Sequence, residues 1–208
     1  MLLADMDGRF YLLAFLAIGV AMCFYYNIDM LQTLENNLEV HPYFLTTSQF
    51  NMLYFSTYIA QFLFLLPLGI LIDHFPIKIL MPIMVIITII TEIIIGFLVK
   101  TRVSGYETMM CVARGIFGIS GLGIIIIQGK LANRFAKHHY EYMMGLCLNV
   151  PYMFNAINSF ITSAVAEQTD DLSGCFFIGA GFGAVALVIA FAINACFLQP
   201  AEESRVES

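Results

Sequence analysis

Charged residues are scarce in this sequence, and their scarcity excludes several classes of protein. Asp, Glu, Lys and Arg together make up 12% of the 208 residues, whereas hydrophobic residues make up 60%. Soluble domains have about 25% charged and 45–50% apolar residues, so this chain has too much apolar surface to hide from water. The net charge of the chain is −6, whereas proteins that bind nucleic acid carry a basic patch. The composition predicts an integral membrane protein, with the lipid bilayer as a partner and no nucleic acid.

Motifs of soluble enzymes and of metal sites are also missing. The sequence contains no GxSxG nucleophile elbow, no HExxH zinc motif and no phosphate-binding P-loop. Its five cysteines form no CxxC pair, and no two histidines stand at metal-ligand spacing. We therefore expect no enzyme activity, no cofactor and no metal site.

Six long apolar runs separated by short polar joins organise the chain. A bilayer core of about 30 Å requires roughly 20 residues of helix, and each run is close to that length. Helices satisfy all backbone polar groups inside lipid, and the runs lack the alternation of a membrane β-barrel. The sequence predicts an all-α membrane protein with a six-helix transmembrane domain over residues 1–200 and a short polar tail at 201–208. The predicted spans are 10–30, 52–72, 77–99, 109–127, 142–165 and 176–198.

The distribution of Lys and Arg predicts which way the spans face. Cytoplasmic loops of membrane proteins carry an excess of these residues. With the N-terminus in the cytoplasm, six basic residues fall on that side, and Lys100 and Arg102 fall on the far side. We therefore expect a multi-pass protein with both termini in the cytoplasm. The six cytoplasmic residues are Arg9, Lys78, Lys130, Arg134, Lys137 and Arg205.

Ionisable side chains inside the predicted spans are the first candidates for function, because burying a charge in lipid is costly. Arg114 lies about two turns into the fourth span and cannot be neutralised. It requires a buried acceptor or a cavity, unless it snorkels to the far interface. Asp29 ends the first span on the same side, where it either pairs with Arg114 or is solvated. Glu92 lies in the third span, where three alternatives are open. Its carboxyl group is protonated, it pairs with Lys100 or Arg102, or its side chain reaches the interface.

Three asparagines surround a proline in the fifth predicted span. Asn155 and Asn158 share a helix face, and Asn149 lies on a face about 120° from that of Asn155. Pro151 between them is expected to kink or loosen the helix. The three amides either line a cavity or make hydrogen bonds between helices.

Two short motifs resemble those of a known transporter family. Residues 69–78 read GILIDHFPIK, which resembles the G-x-x-x-D-R-x-G-x-R/K loop of the major facilitator superfamily. Arg114 and Gly118 resemble its R-x-x-x-G motif in the fourth helix. The resemblance implies the N-terminal six-helix half of that fold, with Arg114 in proton coupling or substrate contact. It also implies a gating role for Gly69, Asp73 and Lys78.

Further likeness lies in residues 23–32, residues 50–54, residues 114–121 and Gln128, which resemble the branch of lysosomal dipeptide transporters within this superfamily. It implies movement of short peptides from the lysosome to the cytosol, and a lysosomal or other endomembrane location. Leu122 and Tyr152 stand where that branch is expected to carry a glutamate and an arginine for the charged ends of the peptide.

Two functions are compatible with one six-helix half. In the first, two copies pair in parallel and enclose a cavity, where Arg114, Asp29 and the asparagines contact a small polar solute that is moved by alternating access. In the second, the chain is a non-transporting accessory subunit of a full-length transporter or another membrane protein. A truncated product without activity is a third possibility. The retained Arg114, Asp73 and Lys78 favour transport.

Overall fold

The computed structural model describes residues 8–39, 45–135, 139–168 and 171–198. Within these ranges every regular element is helical, which confirms the predicted all-α fold class. Five helices in the described part are long and apolar enough to cross a membrane. The remaining predicted span, residues 142–165, is divided into shorter helices. The predicted tail at 201–208 and the basic residues Lys137 and Arg205 lie outside the described residues.

Several helices extend well beyond the predicted spans. The first and fourth helices each continue about two turns past the predicted end of their span, so they project beyond the apolar core. The α-helices are α1 Gly8–Glu39, α2 Thr47–His74, α3 Ile77–Thr101, α4 Tyr106–Phe135, α5 Tyr140–Asn149, α6 Met153–Gln168 and α7 Ser173–Ile193. A 3₁₀ turn at Val150–Tyr152 joins α5 to α6, and a π-helical turn at Asn194–Leu198 follows α7.

Local sequence signals explain where α2 and α3 begin and end. Thr46 and Gln49 form a capping box, in which each side chain accepts a hydrogen bond from the backbone N–H of the other, at 3.3 and 2.9 Å. Phe75 is extended because the ring of Pro76 disfavours a helical residue before it, and α2 therefore ends at the preceding residue. Arg102 ends α3 in the left-handed conformation, with φ of 48°.

Pro151 breaks the fifth span, as the sequence predicts. It lies in the 3₁₀ turn between α5 and α6. Proline has no backbone N–H, and its ring clashes with the carbonyl one turn earlier, so the α-helix does not continue through it. The break leaves Tyr152 beside α1, where its ring centroid lies 4.9 Å from that of Tyr25.

The main helix contacts form a series, which further contacts of α4 with α1 and α5 close into a bundle. In this series α2 packs against α4, α4 against α3, α3 against α7, α7 against α1, and α1 against α5 and α6. Helices α2 and α6 lie at the two ends of the series. Both expose large apolar side chains, which suit contact with lipid or with another membrane protein. These side chains include Phe55, Phe62 and Leu66 on α2, and Met153 and Phe160 on α6.

A buried polar layer separates two apolar clusters in the core. One cluster contains Ile77 and Val85 of α3, and the other contains Ile95 and Val99 of the same helix. The residues of α1 and α4 divide between the clusters in the same way. The side chains of the layer come from α1, α3 and α4, and they are Asn27, Thr88, Thr91, Glu92, Arg114 and Ser120.

Candidate functional site

Arg114 is the central residue of the polar layer, and its side chain has no exposed surface. Its Nη1 donates to Glu92 Oε1 at 3.4 Å and to the backbone carbonyl of Asn27 at 3.3 Å. Its Nη2 donates to the carbonyl of Ile28 at 3.3 Å. The guanidinium carbon lies 4.5 Å from the centroid of the Phe117 ring. Arg114 therefore has the buried acceptors that its position requires, and it does not open onto a cavity in this conformation.

The ion pair joins residues that the sequence analysis did not pair. Arg114 was expected to have a buried acceptor or a cavity, unless it snorkelled, with Asp29 as one candidate partner, and the structure pairs it with Glu92. Glu92 contacts neither of the two basic residues considered for it, and it is fully buried rather than at the interface. Asp29 makes no ion pair with Arg114 among the described residues.

The depth of the two residues in the membrane explains their pairing. Glu92 lies nine residues before the end of α3 at Thr101, and Arg114 lies eight residues after the start of α4 at Tyr106. Because α3 and α4 are consecutive and antiparallel, these similar distances from the connecting loop place the two side chains at nearly the same level. This similar depth was the signal in the sequence that indicates the partner.

Asn27 fixes the position of the α1 carbonyls that bind Arg114. Its Nδ2 donates to the carbonyl of Gly179 on α7 at 3.2 Å. Helix α7 approaches α1 so closely here that a Cβ at Gly179 would lie 2.1 Å from Asn27 Oδ1. The glycine therefore permits the contact that holds α1 against α7 next to the ion pair.

Asp29 faces a polar groove between α1 and α6. Its side chain is partly buried and makes no ion pair within the part of the chain that the structure describes. Asn155 reaches the same groove from α6, and its Oδ1 is buried without a hydrogen-bond partner among the described residues. The structure thus brings two of the predicted site residues together. The groove has a volume of about 410 Å³ and is lined by Asp29, Gln32, Thr33, Asn155, Ala156 and Ser159.

The other two asparagines do not reach this groove. Asn149 is exposed and donates to the carbonyl of Gly145 in its own helix at 2.7 Å. Asn158 is fully buried, and its Oδ1 accepts a hydrogen bond from the Thr162 hydroxyl at 2.6 Å. The Thr162 Oγ1 lies 3.5 Å from the hydroxyl of Tyr26 on α1. The hydrogen bond of Asn158 thus lies within α6, and the link from α6 to α1 is made by its partner Thr162.

The predicted gating motif makes its contacts at the opposite end of the helices. The Asp73 carboxylate lies 3.3 Å from Lys130 Nζ at the end of α4, a partner that the motif alone does not indicate. The backbone carbonyl of Lys78 accepts a hydrogen bond from Asn194 Nδ2 at 2.7 Å. A Cβ at Gly69 would meet no atom within 4 Å, so packing within this unit does not require the glycine.

The chemistry of these groups suits binding and conformational change. The described residues include no cluster of three or more His, Cys, Asp or Glu side chains able to hold a metal ion. The polar groups are a buried ion pair, a carboxylate beside amides, and an ion pair between helix ends. Such groups recognise a polar solute or stabilise one of two helix arrangements.

The long apolar helices and the buried charges between them are typical of an integral membrane protein. A family model described as Major Facilitator Superfamily matches residues 10–207. The chain belongs to this superfamily, and its six spans form one half of the superfamily fold. Comparisons with curated proteins and with solved structures find no match. The closer resemblance to lysosomal dipeptide transporters gains no support here and stays a prediction.

Proposed function

We propose that the chain moves small polar solutes by alternating access, as one of two six-helix units that enclose the solute between them. The observation that supports this function is the groove containing Asp29 and Asn155. A carboxylate and unpaired amide groups facing lipid are unfavourable by several kcal/mol. A second unit placed over the groove converts this surface into the wall of a water-filled cavity.

In this proposal the second unit is another copy of the chain in the same orientation. A two-fold axis along the membrane normal places the α2 end of one helix series against the α6 end of the other. The apolar side chains exposed at these ends, such as Phe62 on α2 and Phe160 on α6, then pack between the copies. The termini of both copies lie in the cytoplasm, as the basic residues predict.

Arg114 acts on the groove indirectly in this account. Its guanidinium binds the carbonyls of Asn27 and Ile28, the two residues that precede Asp29 on α1. A change in the Arg114–Glu92 pair therefore alters the position of α1 beside the solute. The contact between Asp73 and Lys130 closes the cytoplasmic end and opens when α2 moves relative to α4. The resemblance to the dipeptide transporters makes short peptides and endomembranes the first choices for assay.

A non-transporting accessory subunit is the second candidate function. Leu122 and Tyr152 favour it, because they stand where a peptide transporter is expected to carry charged side chains. Tyr152 is 57% exposed, so an arginine at that position would have had room to reach a solute. In this case the exposed ends of the helix series bind a full-length transporter or another membrane protein.

Native mass and solute flux separate the two functions. The purified chain in lipid nanodiscs is expected to be a dimer of the 23.3 kDa chain, and its proteoliposomes are expected to take up amino acids or dipeptides. Phe160→Ser should weaken the dimer, whereas Val188→Ser, at an exposed position on α7, should not. A monomer without uptake, stable only beside another membrane protein, would overturn transport and establish the accessory role.

A further inference from the structure

We propose that the groove between α1 and α6 binds the ammonium group of a small amine, with Asp29 and Asn155 as the acceptors. The inference rests on the proposed function, because it names the class of solute that the groove takes. It depends on three properties of the groove, which are its charge, its excess of hydrogen-bond acceptors and the aromatic pair next to it.

The first property is the negative charge. Asp29 is the only ionisable side chain in the lining of the groove as described. The guanidinium of Arg114 makes no ion pair with Asp29, because its Nη atoms donate to Glu92 and to the carbonyls of Asn27 and Ile28. No cation within ion-pair distance neutralises Asp29 in the described part of the chain. The groove therefore attracts a cation and repels a carboxylate.

The second property is that acceptors outnumber donors, even with the amide N–H groups of Gln32 and Asn155 counted among the donors. The hydroxyl of Thr33 donates to the carbonyl of Asp29 at 3.5 Å, and the hydroxyl of Ser159 donates to the carbonyl of Asn155 at 3.0 Å. Both hydroxyl protons are thus used within their own helices. The lone pairs of the two hydroxyl oxygens can still accept hydrogen bonds from a solute. The Asn155 Oδ1 and the Asp29 carboxylate add further acceptors without partners in the described structure. A primary ammonium, which has three N–H donors and no acceptor, complements such a lining.

The third property is the pair of tyrosines one helical turn from the groove. Tyr25 lies four residues before Asp29 on α1, and Tyr152 lies three residues before Asn155, so each pair shares a helix face. The ring centroids of Tyr25 and Tyr152 are 4.9 Å apart. Ring faces attract cations and pack against hydrocarbon chains. An amine with its nitrogen at Asp29 and a short apolar chain along the rings therefore matches the site.

Three probes of similar size and different charge test this inference. Butylammonium, butyramide and butyrate are titrated at neutral pH and constant ionic strength into the full chain in nanodiscs, and binding is measured by calorimetry. Butylammonium is expected to bind roughly tenfold more tightly than butyramide, and butyrate is expected not to bind. Asp29→Asn should remove the preference for butylammonium, and Asn155→Ala should weaken its binding less. Glu35→Gln, two turns further along α1 and outside the groove lining, is the matched control and should leave binding unchanged.

The outcomes distinguish this inference from the proposed function. Equal binding of butylammonium to the unaltered chain and to Asp29→Asn would overturn it, and so would a preference for butyrate. Absence of binding by all three probes would also overturn it, even where proteoliposomes take up other solutes. If Asp29→Asn fails to insert into the membrane, the order of the three affinities and the effect of Asn155→Ala still test the amine site. Binding of butylammonium without flux of any solute would instead support the amine site and contradict transport.

Discussion

Arg114 and Glu92 form an ion pair at 3.4 Å in the centre of the six-helix unit, and neither side chain is exposed. The pair links α3 to α4, and the other hydrogen bonds of Arg114 link α4 to α1. Three helices are therefore connected through one guanidinium. A buried charge of this kind is stabilising only while all its partners remain in place.

Removing one member of the pair is expected to destabilise the protein by about 3–5 kcal/mol, because it leaves an uncompensated buried charge. Glu92→Leu should be more harmful than Arg114→Met, since an unpaired carboxylate can take up a proton and a guanidinium cannot lose one. The double variant should recover much of the loss. Reversible unfolding in mixed micelles gives the free energies. Additive single effects would contradict the pairing.

The glycine at the contact between α1 and α7 gives a second prediction. Gly179→Ala should be destabilising by roughly 1–3 kcal/mol, because its Cβ would overlap Asn27 Oδ1 and push the helices apart. Gly181→Ala, two residues along the same helix, meets no atom within 4 Å and should not lower stability. Thermal unfolding of the two variants measures the difference. Equal effects would show that α7 does not approach α1 as closely as described.

The ion pair between Asp73 and Lys130 is expected to affect function more than stability. The two side chains are 76% and 33% exposed, and exposed pairs contribute only about 0–1 kcal/mol. Asp73→Asn should therefore change the free energy of unfolding little. It should increase the alkylation of a cysteine introduced at position 133 by Asn133→Cys, because Asn133 lines the groove next to the ion pair. Asn51→Cys at the other end of the membrane serves as a control that should not change. Unaltered alkylation at both sites would contradict the gating role.

A carboxylate outside the membrane gives a prediction about pH. Partial burial favours the neutral form of Asp171. Hydrogen bonds from the Ser173 N–H at 3.0 Å and hydroxyl at 2.8 Å, together with the charges of Lys100 and Arg102, outweigh this effect and lower the pKa of Asp171 below the ordinary value. Because the folded pKa is the lower one, Asp171 stabilises the protein fully above its unfolded pKa of about 3.9. The contribution is lost as the pH falls through the folded pKa.

Asp171→Asn should accordingly lower the melting temperature at neutral pH and reduce its fall in acid. Melting curves of this variant, recorded from neutral pH to about pH 3, are compared with those of Glu167→Gln, an exposed acid of α6. Parallel curves for Asp171→Asn and the unaltered chain would show that the hydrogen bonds to Ser173 do not favour the charged form.

The helical fold was predictable from the sequence because lipid imposes a strong constraint on it. Runs of apolar residues long enough to span the bilayer identify the helices, and Pro151 identifies the break in the fifth span. The ends of α1 and α4 were not predictable from hydropathy, since both helices continue into polar segments. Helix packing in the aqueous region extends them, and hydropathy does not report that packing.

The site was predictable only in part, because the choice of partner depends on packing. Sequence reasoning identified Arg114, Asp29 and Asn155 as unusual at membrane depth, and Asp29 and Asn155 do share a groove. It did not pair Arg114 with Glu92, since the depth of each residue was considered separately. Lys130 was assigned to a cytoplasmic loop, and its contact with Asp73 follows only from the position of α4 beside α2.

Uptake of radiolabelled amines, amino acids and dipeptides into proteoliposomes is the most direct test of the central claim, which is transport through the groove at Asp29. The account predicts uptake above that of empty liposomes for the unaltered chain and for Glu35→Gln, and a loss of about tenfold or more for Asp29→Asn. No uptake of any solute by a correctly inserted dimer, or equal uptake by Asp29→Asn, would contradict it.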